Sequence, residues 1–140
     1  MKKMFNTKQE VIDHIADWFL VQKNPPGYDF ENRCCVYGTT DPNIACGIGC
    51  LIPYEERIEM QCADGIGSAF TLNPLTKLLH PLQRHLGKEA FSEKFLRDIQ
   101  QVHDASAGYG VSDFHRMFAR DLHRLVDEIG LTWREEWDAA

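Results

Sequence analysis

Five cysteines, Cys34, Cys35, Cys46, Cys50 and Cys62, crowd into one glycine-rich stretch, and the rest of the chain has none. Thiols grouped in this way suggest two kinds of chemistry. Zinc needs about four thiolate, imidazole or carboxylate ligands converging tetrahedrally. Cys46 and Cys50, four apart, would share a face of a helical turn, with Cys34 or Cys35 approaching from a hairpin and His103 and Asp104 completing the set. Against this, no pair has zinc-knuckle spacing, and adjacent residues such as Cys34 and Cys35 point to opposite faces of an extended chain. A thiol nucleophile instead needs an imidazole or a helix start beside it, and Cys50 or Cys62 with His103, oriented by Asp104, has the parts. Neighbours on a helix diverge by about 100°, so Asp104 is not placed to orient His103. The plainer expectation puts His103 in the last turn of a helix, as an imidazolium complementing the dipole. Cysteine as a small apolar filler among glycines is the favoured reading. On that reading no catalytic residue, metal ligand or cofactor is assigned.

Two further groups have the chemistry of binding rather than of reaction. Arg116, Arg120, His123 and Arg124 fall on the polar side of one helix and could grip phosphate or an acidic protein, although Asp113, Asp121 and Asp127 are interleaved with them. Trp133 and Trp137 sit among Glu135, Glu136 and Asp138 close to the C-terminus. Tryptophan buries much area for little rotamer loss, so this tail can anchor an interface or fold back onto the core.

These residues are positioned by elements whose boundaries the sequence marks. Thr7-x-x-Glu10 is a capping box, and Val11, Ile12, Ile15, Trp18 and Phe19 then form one helical face ending near Gln22, where Asn24-Pro25-Pro26-Gly27 stops it. Arg33–Tyr37 reads as a strand followed by the turn 38–43. Ile44–Ile52, broken by Gly47 and Gly49, pairs back as a second strand or curls into a helical turn, and Ile58–Cys62 adds another strand. Residues 63–68 read as a loop. Asn73-Pro74 opens a helix striped with Leu75, Leu78, Leu79, Leu82 and Leu86, kinked at Pro81 and ended by Gly87. A third helix runs near Lys88–Asp104. Ser112 caps a fourth, whose apolar side holds Phe114, Met117, Phe118, Leu122, Leu125, Val126 and Ile129, and Gly130 closes it with Leu131 folded back. Thr132-x-x-Glu135 starts a last short turn. The expected fold class is α+β, mostly helical: an N-terminal helix, a small β-hairpin carrying the cysteines, three helices and a C-terminal turn. At 140 residues the chain has the length of a single domain, 1–140.

Two segments carry a resemblance: Cys35-Val36-Tyr37 followed by Cys46-Gly47-Ile48-Gly49-Cys50-Leu51-Ile52-Pro53, and Phe95-Leu96-x-x-Ile99-Gln100-x-Val102-His103-Asp104. Together they resemble a family of small uncharacterised proteins of phages, prophages and bacterial genomes, in the same order and over most of the chain. The chain departs from that pattern at 38–43, where an arginine-glycine-proline turn is more usual, and at Gly47, where alanine is commoner. The resemblance implies a single domain in a phage or bacterial cytosolic setting and transfers no catalytic residue.

Composition narrows the function classes. A formal charge of −6 opposes general affinity for nucleic acid or anionic membranes. No apolar run reaches the roughly 20 residues of a membrane span, and Met1–Asn6 lacks the apolar stretch of a secretory signal, so a cytoplasmic location is expected. The leading expectation is a non-catalytic protein-binding module of phage or mobile-element type, such as an inhibitor of a host defence or regulatory protein, acting through Arg116, Arg120, His123, Arg124, Trp133 and Trp137. The alternative is metal- or thiol-dependent activity centred on residues 34–62 with His103.

Overall fold

The computed structural model describes residues 3–29, 34–36, 41–64, 70–71 and 74–139, and the side chains of 3–28, 41–59 and 78–138. Helix α1, Lys8–Ala16, starts where Thr7 accepts the Glu10 N–H at 3.1 Å. It continues as one π turn, Asp17–Val21, in which the Gln22 N–H reaches the Asp17 carbonyl at 2.8 Å and the Asn24 N–H the Trp18 carbonyl at 3.2 Å. Pro25 and Pro26 lack the N–H groups needed to go further.

The α+β class expected from the sequence is overturned. The chain is mostly helical, with five α-helices among the described residues. Strands are confined, among those residues, to Tyr28–Asp29 (β1), Cys34–Val36 (β2) and Phe70–Thr71 (β3). These fragments pair antiparallel in the order β1-β2-β3, with Cys35 opposite both Tyr28 and Thr71, and are too short to form a layer. The stretch 44–52 does not pair with Cys34–Val36. It is a run of turns ending in the 3₁₀ segment Gly49–Leu51, because two glycines offer little to a pleated strand. Ile58–Cys62, expected as a strand, lies inside helix α2, Tyr54–Asp64. That helix begins directly after Pro53, whose carbonyl accepts the Glu56 and Arg57 N–H groups, and Glu55 and Glu56 favour its positive end. The turn expected at 38–40, the loop at 65–68 and the cap at Asn73 lie outside the described residues.

The later elements keep their expected types with shifted ends. Helix α3 is Pro74–His85 and carries Pro81 without stopping there. Its end is clamped by the N-terminus, where the Phe5 N–H meets the His85 carbonyl at 3.0 Å and the Gly87 N–H meets the Phe5 carbonyl at 2.6 Å. Helix α4, Glu93–Ala107, starts at Ser92, whose hydroxyl accepts the Phe95 N–H, not near Lys88. Helix α5, Val111–Glu128, is entered from Gly110 at φ +97°, so Ser112 lies within the first turn instead of capping it. Only glycine adopts that dihedral cheaply, and it lets α4 turn sharply into α5. The Leu131 N–H bonds back to the Val126 carbonyl at 3.0 Å past Gly130, and a 3₁₀ segment, Glu135–Ala139, ends the described chain.

One cluster of buried apolar side chains runs from Phe5 to Trp137. At its centre Phe19 meets Phe114 and Phe118 at 5.6 and 4.9 Å between ring centroids, within the range favoured by aromatic pairs. Ile12 and Ile15 of α1, Leu78 and Leu82 of α3 and Ile99 of α4 close around it, all fully buried. No helix among the described residues is long and apolar enough to cross a membrane.

Candidate functional site

Cys46 and Cys50 lie in the stretch 44–52, which takes the helical-turn alternative and not the strand, and both are buried. The Cys46 sulfur accepts the Gly49 N–H at 3.3 Å, and the Cys50 thiol points to the Gly47 carbonyl at 3.5 Å. Burial pushes the Cys50 thiol far above its ordinary pKa. The neighbouring Cys46 adds to this, and the Arg57 cation opposes it without prevailing. A thiol held protonated is a poor nucleophile. The side chains of Cys34, Cys35 and Cys62 lie outside the described residues. Among the described residues, no three His, Cys, Asp or Glu side chains converge as a metal site would require.

His103 departs from expectation twice. It does not stand at a wet helix end, since it is fully buried with its ring against Phe19 and Phe114 at 5.5 and 5.6 Å. Nor does Asp104 diverge from it: the carboxylate bends back to His103 Nδ1 at 2.8 Å. The Gly27 amide donates to Nε2 at 3.2 Å. An amide N–H can only donate, so Nε2 carries no proton, and Nδ1 carries the one given to Asp104. An aspartate holding a histidine in one tautomer is the arrangement that serves catalytic bases. Here, however, the nitrogen that would accept a substrate proton is already occupied by backbone. Gln100 extends the network: its amide donates to the same Asp104 oxygen at 2.8 Å, and its Oε1 accepts the Ile48 N–H at 3.1 Å. His103 therefore ties the loop at Gly27 to α4, and Gln100 ties the turn at Ile48 to it.

The basic row on α5 faces outward. Arg116, Arg120, His123 and Arg124 have side chains 72, 51, 42 and 67% exposed. Carboxylates accompany each: Asp113 meets Arg116 at 3.2 Å, Asp121 meets Arg120 at 2.9 Å and Arg124 at 4.0 Å, and Asp127 meets His123 at 3.7 Å. At its C-terminal end the row is joined by the tail, because Trp133 stacks flat on His123, 4.2 Å between centroids and 5° from parallel. The two tryptophans part company. Trp137 is buried in the core, whereas Trp133 is partly covered and donates its indole N–H to Asp138 at 2.8 Å. Arg134 fixes the tail to α1 through two bonds to Asp13, at 3.1 and 2.9 Å.

Sequence reading passed over Arg57. It lies in α2, is 3% exposed, and donates from Nε to the Ile52 carbonyl, from Nη1 to Ile44 and from Nη2 to Pro42, at 3.0–3.1 Å. The Trp18 and Tyr54 rings lie 5.7 Å from the guanidinium. No carboxylate among the described residues pairs with it. Burial pulls its pKa below the ordinary arginine value, against the opposing pull of Cys50, Cys46, Tyr54 and Glu55. A cavity of about 320 Å³ adjoins this group. Nothing in the local pattern distinguishes a buried arginine from the solvated ones, because its partners are carbonyls that come together only in the fold.

No family model, curated protein or solved structure matches the chain.

The functional reading therefore rests on geometry alone. Cys46, Cys50 and His103 are inside the fold and bonded to it, and the arginines and His123 of α5 are on its surface.

Proposed function

We propose that this protein acts by non-covalent binding to a protein partner, through the outer face of α5 and the adjoining Trp133. What carries this reading is the contrast between His103 and the α5 row. The His103–Asp104 pair has its outer nitrogen closed by the Gly27 amide, while three arginines and His123 stand exposed along about 12 Å of one helix, on a chain of net charge −6. Cations locally concentrated on an acidic molecule favour a partner with a matching acidic patch. The interleaved aspartates add register and discourage a uniform phosphate backbone. Inhibition of a host defence or regulatory protein is the concrete form we propose, and its support is the phage-type sequence motifs.

The test is affinity capture from a bacterial lysate with the wild-type chain and with Arg116→Glu/Arg120→Glu/Arg124→Glu. The exposed pairs contribute little to folding, so the variant should keep its urea midpoint within about 0.5 kcal/mol of stability. A stoichiometric partner retained by the wild type and lost by the variant supports the reading. A partner held equally by both, or turnover of a substrate by the isolated protein, overturns it.

A further inference from the structure

We infer that the cavity between the π turn of α1 and the start of α2 binds a small organic acid, an apolar body bearing one carboxylate, with Arg57 as its counter-ion. This site is separate from the α5 surface. The cavity is walled by Trp18, Tyr54, Leu51, Ile52 and Pro53, with Arg57 among them. Its volume of about 320 Å³ falls at the lower end of small-molecule pockets.

Three independent features point to an anion on an apolar frame. First, Arg57 is a desolvated cation bonded, among the described residues, only to neutral carbonyls. Three dipoles offset part of its lost hydration, but a buried guanidinium is ordinarily matched by a carboxylate, with which it pairs through its planar fork. Its three carbonyl bonds use one N–H on each nitrogen, which leaves a second N–H on both Nη1 and Nη2. Second, Trp18 lines the same cavity, and its indole N–H is buried with no hydrogen-bond acceptor among the described residues. An orphaned donor of this kind is rare in a finished core. Third, Trp18 is carried by a π turn, a widened geometry that recurs at functional sites. His14 is no competitor for the anion, because its Nε2 already donates to the Cys50 carbonyl at 2.9 Å. Around these polar groups the wall is aliphatic and aromatic, which suits a hydrocarbon body and not a bare inorganic ion.

The experiment uses the whole chain labelled with ¹⁵N and three probes: benzoate, its neutral isostere benzamide, and inorganic phosphate. Two resonances report the site, the Arg57 Nε–H and the Trp18 indole N–H, the latter assigned by its loss in Trp18→Phe. Benzoate should shift both in a saturable way, at least tenfold more tightly than benzamide or phosphate. In Arg57→Met the benzoate affinity should fall at least tenfold. If that variant fails to fold, the wild-type comparison of benzoate with benzamide decides alone. Equal binding of benzamide removes the counter-ion role, and equal binding of phosphate removes the apolar body. Silence of both resonances at benzoate concentrations of about 10 mM, ample for a Kd in the millimolar class, overturns the site altogether.

Discussion

Gly47 is the residue on which the buried polar network closes. A Cβ placed there would stand 2.8 Å from the His103 Cβ and 3.3 Å from the Gln100 Oε1, closer than carbon packing tolerates. Gly47→Ala should therefore destabilise the protein by about 1–3 kcal/mol, the usual cost of overpacking, seen as a lower urea midpoint with an unchanged m-value. The two described thiols make a second prediction at this scale. With the Cys50 thiol held protonated by burial, and Cys46 as deeply enclosed, peptide-resolved iodoacetamide labelling near pH 8 should leave both unmodified in the native protein and modify both in denaturant. Rapid native labelling of either would contradict their packing role. That role was legible in the sequence, where small apolar side chains among glycines are ordinary core material. The closed tautomer of His103 was not, since it depends on the Gly27 amide, which is 76 residues away in the chain.

Among the elements, those declared by local signals were readable: the Thr7 cap, the apolar stripe of α5 from Phe114 to Val126 and the Gly130 stop stand where the residues put them, while Ile129, expected on the stripe, lies past the helix end and is exposed. Helix α2 was misread as a strand. Its start is held by the Arg57 bonds to Ile52, Ile44 and Pro42, and no window of α2 contains those partners. The tail was ambiguous for a similar reason. What fixes it is Arg134 on Asp13, with the Thr132 N–H donating to Gln9 at 2.8 Å and the Gln9 amide returning to the Thr132 carbonyl at 3.1 Å. This staple gives a pH prediction. Burial alone would raise the Asp13 pKa, but the bonds from Arg134 and Gln9 and the Arg134 charge outweigh it, and the carboxyl sits below its ordinary value. A carboxyl whose folded value is depressed adds stability above its unfolded pKa of about 3.9, and that contribution is lost as pH falls through the lower folded value. Acid titration followed by tryptophan emission should show the tail loosening only below about pH 4. Asp13→Asn should lack this step and lose about 0.5 kcal/mol at neutral pH, kept small because both side chains are over a third exposed.

Over the whole molecule, the bonds that matter most join distant stretches of chain. The loop at Gly27, the turn at Ile48 and the helix segment Gln100–Asp104 are held by one set of side chains, His103, Asp104 and Gln100. Neither amide has a helical partner of its own to fall back on. Native-state hydrogen exchange should accordingly show the Gly27 and Ile48 amides opening in step, with one common free energy, and slower than the surface amides near Tyr109. His103→Ala should speed both by a similar factor, though the substitution touches only one of them directly. If the two exchange independently, the three stretches are separate in motion as well as in sequence. If they keep time together, the loop, the turn and the helix melt as one cooperative unit.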